Sequence, residues 1–267
     1  MKLFLSSIQM RFLPILLFFF GFGGTPVFAS GWDYSAGFGS RSLPFGAAFN
    51  GQLGWNEVLW GDSASKSPIG HGLLRPSVRI QTSGLTTSGE AKLGFYPIPI
   101  LGVNAGWSTS YRNIAGLHTL SCDLYECRGL LTGQFIQPRA VVGCAGAFLV
   151  LSYRVSDLKD HVAERPFAEE RSTLAGALGG DQLSSLEAVM GYSVSDQNQA
   201  LLLLAQEKMK ESGNQNALVL LAWRHQMENP LWKWTAAVGA YESSTQSWGP
   251  AVAFAVQWTP VPSMEWF

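Results

Sequence analysis

Charge is what this chain of 267 residues most lacks. Only 14% of its residues are Asp, Glu, Lys or Arg, where roughly 25% is usual for a globular domain, and the formal net charge is −1. A nearly neutral chain builds no basic surface for nucleic acid, so no such partner is expected. Long apolar runs are missing too. Past the first thirty residues none approaches the roughly 18–20 that a membrane-spanning helix needs; the longest, Ala140 to Tyr153, lies between Arg139 and Arg154. The three cysteines and four histidines include no cluster at metal-ligand spacing, and His161 with Glu164 would supply only two ligands, so no metal site is expected. The glycines alternate along the chain where a phosphate loop would bunch them, and no cofactor is expected. An apolar share of 47% excludes disorder, and 29 glycines exclude a coiled coil.

The first residues have their own character. Lys2 and Arg11 precede an apolar stretch from Phe12 to Phe20, Gly21 to Pro26 loosen the chain, and Val27-Phe28-Ala29 places small residues where a signal peptidase cuts. Residues 1–29 read as a secretory signal peptide and 30–267 as the mature domain. Cleavage leaves 16 basic against 19 acidic residues, about −3. Export places the cysteines in an oxidising compartment. Cys122 and Cys127 enclose Asp-Leu-Tyr-Glu, a spacing that suits a small disulfide-closed loop, while Cys144 in its apolar stretch is expected to be a buried free thiol.

What the mature chain has in abundance is alternation with period two. Trp32, Tyr34, Ala36 and Phe38 alternate with Asp33, Ser35, Gly37 and Gly39; Leu101, Val103, Ala105 and Trp107 alternate with Gly102, Asn104, Gly106 and Ser108. Such segments are half-buried strands. Their polar faces carry Gly, Ser, Asn and Gln more than Lys and Glu, which suits the inside of a barrel better than a solvated surface. Twelve segments are expected as strands: 32–41, 46–59, 70–83, 86–97, 99–112, 126–137, 139–154, 184–195, 199–209, 216–226, 230–242 and 247–259. The fold class is therefore all-β, a single antiparallel transmembrane barrel of about twelve strands, with ten to fourteen the range.

Connections and aromatics sort by end. With the N-terminus inside, tight turns at 97–99, 137–139, 196–198 and 228–230 fall on one side, and the long connections 113–125 and 155–183 on the other. Residues 155–171 hold 8 of the 37 charged residues and are expected as a solvated loop. Trp55, Trp223, Trp232, Trp234 and Trp258 lie near the inner strand ends, Trp107 and Trp248 near the outer ones. Indole prefers the headgroup level, because its ring is apolar and its N–H seeks a polar partner.

The expected lumen collects Arg75, Ser77, Arg79, Gln81, Glu90, Lys92, Asn104, Arg128, Gln134, Glu187, Arg224 and Lys233. Of these, Arg75, Arg79, Glu90, Lys92, Arg128 and Arg224 are the constriction candidates of a passive pore for small solutes, since rings of charge set pore selectivity. The other reading is a plugged, structural lumen, with outer loops that recognise a partner. Strands apolar on both faces, 141–151, 201–205 and 218–222, would either line an amphipathic path or pack against an inserted loop. Catalysis is not expected: His118, Ser121 and Asp123 form the one grouping a lipid hydrolase could use, and no Gly-x-Ser-x-Gly elbow occurs.

With its signal segment, alternating strands, aromatic girdles and terminal Phe267, the chain resembles the bacterial outer-membrane β-barrel proteins. The resemblance implies the outer membrane of a Gram-negative-type bacterium as its place, outer-membrane lipid as its surroundings, and the barrel-assembly machinery as a partner reading the C-terminal region. The sequence departs from the pattern in one respect: Pro260 and Pro262 separate the last clear strand from Phe267.

Overall fold

The computed structural model describes residues 30–42, 45–61, 71–113, 122–162, 164–169, 172–244 and 248–261. The signal segment, His118, Ser121, Trp266 and Phe267 lie outside the described residues. Within them the strands are β1 (Gly31–Ser42), β2 (Phe45–Gly61), β3 (His71–Thr82), β4 (Thr86–Ile98), β5 (Leu101–Asn113), β6 (Arg128–Cys144), β7 (Ala147–Asp160), β8 (Pro166–Ala168), β9 (Ala175–Leu178), β10 (Gly180–Ser193), β11 (Asn198–Met209), β12 (Gln215–Gln226), β13 (Trp232–Ser243) and β14 (Gly249–Val261). Twelve of them form one closed antiparallel barrel, each paired with its neighbour in the chain. β1 meets β14 to close the ring, and β8 with β9 makes a separate two-stranded hairpin. The expected twelve-stranded all-β barrel is the fold.

Alternation does the sorting. On β14, Ala251, Ala253 and Ala255 are buried while Val252 and Phe254 are exposed; on β12, Leu218 and Leu220 are buried while Val219 and Leu221 face out. The exterior presents Phe49, Leu53, Ile80, Leu93, Ile136, Leu186 and Val238, and the interior hides Asp33, Arg75, Glu90, Lys92, Asn104 and Arg224. A barrel that pairs every backbone group and turns its apolar side chains outward is built for lipid.

Three expectations about β6 and β7 are corrected. The turn is not at Gln137-Pro138-Arg139. β6 runs straight through Pro138, which is aligned with Val103 of β5; the ladder to β7 stops at Ile136–Val155 and resumes at Arg139–Ser152 in the same register. Lacking an N–H, the proline leaves a gap in the ladder without ending the strand. The chain reverses instead at Ala145 (φ 49°) and Gly146 (φ 85°), two successive positive φ values of the kind that matches the twist of a hairpin. The apolar stretch 140–153 is thus the base of a hairpin. Cys144, expected to be buried, is exposed beside that turn. Finally, Gln134 and Arg128 do not enter the lumen; both are exposed. Gln134 is aligned with Trp107 of β5 and Asp157 of β7. Aligned residues share a face, so an outward Trp107 forces Gln134 outward, and Leu131, Gly133 and Phe135 turn in.

The turn supports a prediction. Ala145 holds a backbone conformation that costs an L-residue with a Cβ roughly 1 kcal/mol or more, and asparagine tolerates it better. Ala145→Asn should raise stability by about 0.5–1 kcal/mol, read as a shift of the urea midpoint in detergent.

The lumen has two unlike walls. Across β11 to β14, Leu201, Leu203, Leu218, Leu220, Ala237, Tyr241 and the three alanines of β14 pack together, joined by Phe148 and Val189. Opposite, β1 to β5 contribute a polar wall that includes Asp33, Asn56, Arg75, Arg79, Glu90, Lys92 and Asn104, and polar residues such as Gln199, Glu207, Asn216 and Arg224 are buried on the other strands as well. The long connection expected at 155–183 is shorter than that: β7 continues to Asp160 and β10 begins at Gly180. What lies between is not a solvated loop but the β8–β9 hairpin. Phe167 and Leu174 are buried against Leu131, Leu158, Leu183 and Met209, whereas the apolar segments 201–205 and 218–222 pack with β13 and β14 in a separate cluster that contains no hairpin residue.

Candidate functional site

Near the end of the barrel where β1 begins, Asp33 of β1 receives both Nη2 (2.6 Å) and Nε (2.9 Å) of Arg75 on β3, and Asn56 Nδ2 (2.6 Å) of β2. Arg75 and Asp33 are each about 1% exposed. This is a two-pronged, charge-assisted pair inside the sheet, the geometry that guanidinium and carboxylate share. One strand further, Tyr96 Oη donates to Asn104 Oδ1 at 3.0 Å, and across the lumen Arg224 Nη1 donates to Gln199 Oε1 at 2.9 Å.

At mid-height Glu90 of β4 is the centre. Arg154 of β7 reaches it at 2.8 Å and Arg79 of β3 at 3.6 Å. The Arg154 guanidinium also lies 3.5 Å from the ring centroid of Phe135, and its Nε donates to Ser156 Oγ at 3.0 Å. Lys92 is buried on the same wall, aligned with Ser77. Above this group is a cavity of about 50 Å³ whose lining includes Arg79, Glu90, Arg154, Glu169, Glu187 and Glu207, room for a few waters.

The β8–β9 hairpin roofs that cavity. Its near side is held by Arg112 of β5, which is fully buried. Nη1 donates to the carbonyls of Ala168 (2.8 Å) and Glu126 (3.2 Å), and Nη2 to the Arg128 carbonyl (3.3 Å) and Asp160 Oδ2 (2.9 Å). Its far side meets β12 and β13: Asn216 Nδ2 donates to the Ser172 carbonyl at 2.6 Å, and Thr173 Oγ1 lies 3.2 Å from Tyr241 Oη. In the ring order β5 and β13 stand six places apart in twelve, so the hairpin spans the full diameter of the mouth. Asp181 secures its return, accepting the N–H groups of Ala177, Gln182, Glu211 and Ser212.

Of the six constriction candidates, the structure puts five in the interior: Arg75, Arg79, Glu90, Lys92 and Arg224. It brings Arg79 and Glu90 together and leaves Arg128 outside. Cys122 and Cys127 form the expected disulfide, with Cα atoms 5.5 Å apart. Trp107 is 65% exposed but stands at the middle of β5 and not near its outer end as expected, and Trp55 lies within β2, whereas Trp223, Trp232, Trp234, Trp248 and Trp258 are close to strand ends. Trp32 packs edge-on to Trp55 and Trp232 lies near Trp258. Arg112, Asp160 and Arg154 were not foreseen as site residues. The first was legible: extending the polar series Asn104, Gly106 and Ser108 by two steps passes Ser110 and lands on Arg112. The other two were hidden by ending β7 at Arg154. Of the hydrolase grouping, only Asp123 is among the described residues; its carbonyl accepts Arg165 Nη1 at 2.8 Å.

The closed ring, apolar on its outer face with its ion pairs turned inward, decides the class. This is a transmembrane β-barrel of the outer-membrane type. No protein-family model matches the chain, and no curated protein matches it in sequence. Among solved structures it is similar to a KdgM porin in complex with disordered oligogalacturonate (11% identity, 85% of this chain and 98% of that one, TM-score 0.42). It is also similar to the NanC porin (9%, 84% and 98%, 0.44) and to a loop-deletion mutant of OmpT, an outer membrane protein of Vibrio cholerae (10%, 86% and 99%, 0.45). These are likenesses of overall barrel shape and transfer no activity to this barrel.

Proposed function

We propose that this outer-membrane barrel has a filled lumen and works through its extracellular cap. The observation that carries the reading is the hairpin across the mouth, together with the depth of burial below it. Arg75, His71 and Asn104 on one wall and Leu203 and Leu220 on the other are all 1% exposed or less. In a water-filled channel those side chains would be wet. The cap offers a surface suited to a partner: Leu124 and Leu178, 65% and 60% exposed, and Val162 stand among the exposed Asp123, His161, Glu164 and Arg165. Apolar anchors inside a charged rim are the usual make-up of a protein-binding patch. We assign the barrel no catalytic step. Its surroundings in this reading are outer-membrane lipid at the tryptophan girdles. The signal segment directs export and is cleaved after Ala29, and the assembly machinery engages the C-terminal region ending in Phe267.

A passive pore for small solutes is the second reading, favoured by the cavity beneath the hairpin and its charged lining. In that case Arg79, Glu90 and Lys92 would form the constriction, with Arg75 and Arg224 below it. Planar-bilayer recording separates the two. The filled barrel should show no discrete openings in symmetric salt, and steady openings of reproducible size would remove the first reading in favour of the pore.

A further inference from the structure

The disulfide ring at residues 122–127 does more than shorten a loop. It forms the edge against which the hairpin is paired. Glu126 N–H donates to the Pro166 carbonyl at 2.8 Å and Ala168 N–H donates back to the Glu126 carbonyl at 3.0 Å, a parallel bridge between Glu126 and Phe167. The Glu126 carbonyl also accepts Arg112, which binds the Ala168 carbonyl with the same nitrogen. Arg165, at the hairpin's root, donates to the Asp123 carbonyl inside the ring. Cys127 is itself in the packing, 2% exposed beside Ala168 and Ala175, with Cys122 and Tyr125 against them. So the ring supplies the near-side backbone partners of the hairpin, and their positions depend on its closure.

We infer that the Cys122–Cys127 disulfide is a redox-sensitive latch that holds the β8–β9 hairpin across the mouth. The inference rests on the hairpin being the lid of a filled lumen. Cys122 is only half-buried at the extracellular end, whereas Cys127 is enclosed, so a small dithiol meets the Cys122 sulfur first. Its thiolate attacks that Sγ and Cys127 leaves as a thiolate that takes up a proton. The second thiol of the reagent then displaces Cys122, which is protonated in turn. Two electrons and two protons pass to the protein, and the dithiol becomes a cyclic disulfide. The opened segment regains the backbone freedom that ring closure had removed. Glu126 and Asp123 are then no longer held in place for Ala168, Pro166 and Arg165, and the hairpin's near side loosens.

The test uses the full barrel in detergent with Cys144→Ser, which leaves the pair as the one source of thiol. Hydrogen exchange over residues 164–178 is followed with and without dithiothreitol. Reduction should speed exchange of the Ala168 and Glu169 amides at least about tenfold while the β11–β14 amides stay protected. In parallel, Leu174→Cys is placed as a buried reporter for a water-soluble maleimide. It should label slowly with the disulfide intact and about tenfold faster in Cys122→Ser/Cys127→Ser. Equal exchange in the oxidised and reduced barrels, or equal labelling in the two backgrounds, overturns the latch. Bilayer recording of the same samples keeps the two ideas apart. Openings in the oxidised barrel would refute the filled lumen, whereas the exchange result alone decides the latch.

Discussion

Arg112→Met is expected to destabilise the folded barrel by about 3–5 kcal/mol, the cost of removing one partner from a buried ion pair. The side chain is fully buried and satisfies the Asp160 carboxylate and three backbone carbonyls, from Glu126, Arg128 and Ala168. Methionine fills much of the volume and meets none of those acceptors. Asp160, itself with a buried side chain, keeps its charge in an interior with no cation opposite. The damage should be local first. The hairpin should become sensitive to protease while β11 to β14 stay folded, and the heat-modifiable gel shift should move to lower temperature. Pairing the change with Asp160→Asn should recover part of the loss, because the stranded charge is then gone. If Arg112→Met alone left both the gel shift and the hairpin's protease resistance untouched, Arg112 would not be the anchor of the cap.

Arg75→Met should cost a similar 3–5 kcal/mol, but with a different failure. Asp33 lies on β1, Asn56 on β2 and Arg75 on β3, so this pair ties together the first three strands next to the seam where β1 meets β14. Losing the guanidinium strands Asp33 at about 1% exposure. The expected outcome is a drop in the yield of folded barrel on refolding into detergent micelles, with the seam strands exchanging their amides first. Asp33→Asn in the same chain should restore much of the yield.

Much of this was legible in the sequence. The period of two assigns each strand residue to a face, so Arg75, Arg79, Glu90, Lys92, Asn104 and Arg224 are placed inside by the pattern alone. It also predicted the count of twelve. The misplacements share one cause. On β6 neither alternating set is clearly apolar: Leu131, Gly133 and Phe135 face Leu130, Thr132, Gln134 and Ile136 across the strand. With no contrast between faces, a polar Gln134 was read as lumenal. The neighbouring Trp107 supplied the missing information, but only once the register that aligns the two was known. Pro138 misled in the same region, because a proline reads as a stop in one dimension and as a tolerated gap in a paired sheet.

The charged stretch 155–171 marks the boundary most clearly. Composition placed its acids and bases in water. In the fold, Asp160 and Glu169 are buried at 6% and 3% exposure, because Arg112 and the backbone amide of Ser172 are waiting for them. Those partners lie 48 and 3 residues away along the chain, and only the first belongs to a separate strand. By itself, then, the sequence determined the low charge, the alternation, the twelve strands and the exported, lipid-facing class, since each depends on contacts one strand deep. The roof over the lumen, on which the filled-lumen proposal rests, was decided by the tertiary structure alone. It depends on a hairpin reaching from β5 to β13, a distance set by ring closure and by no local pattern.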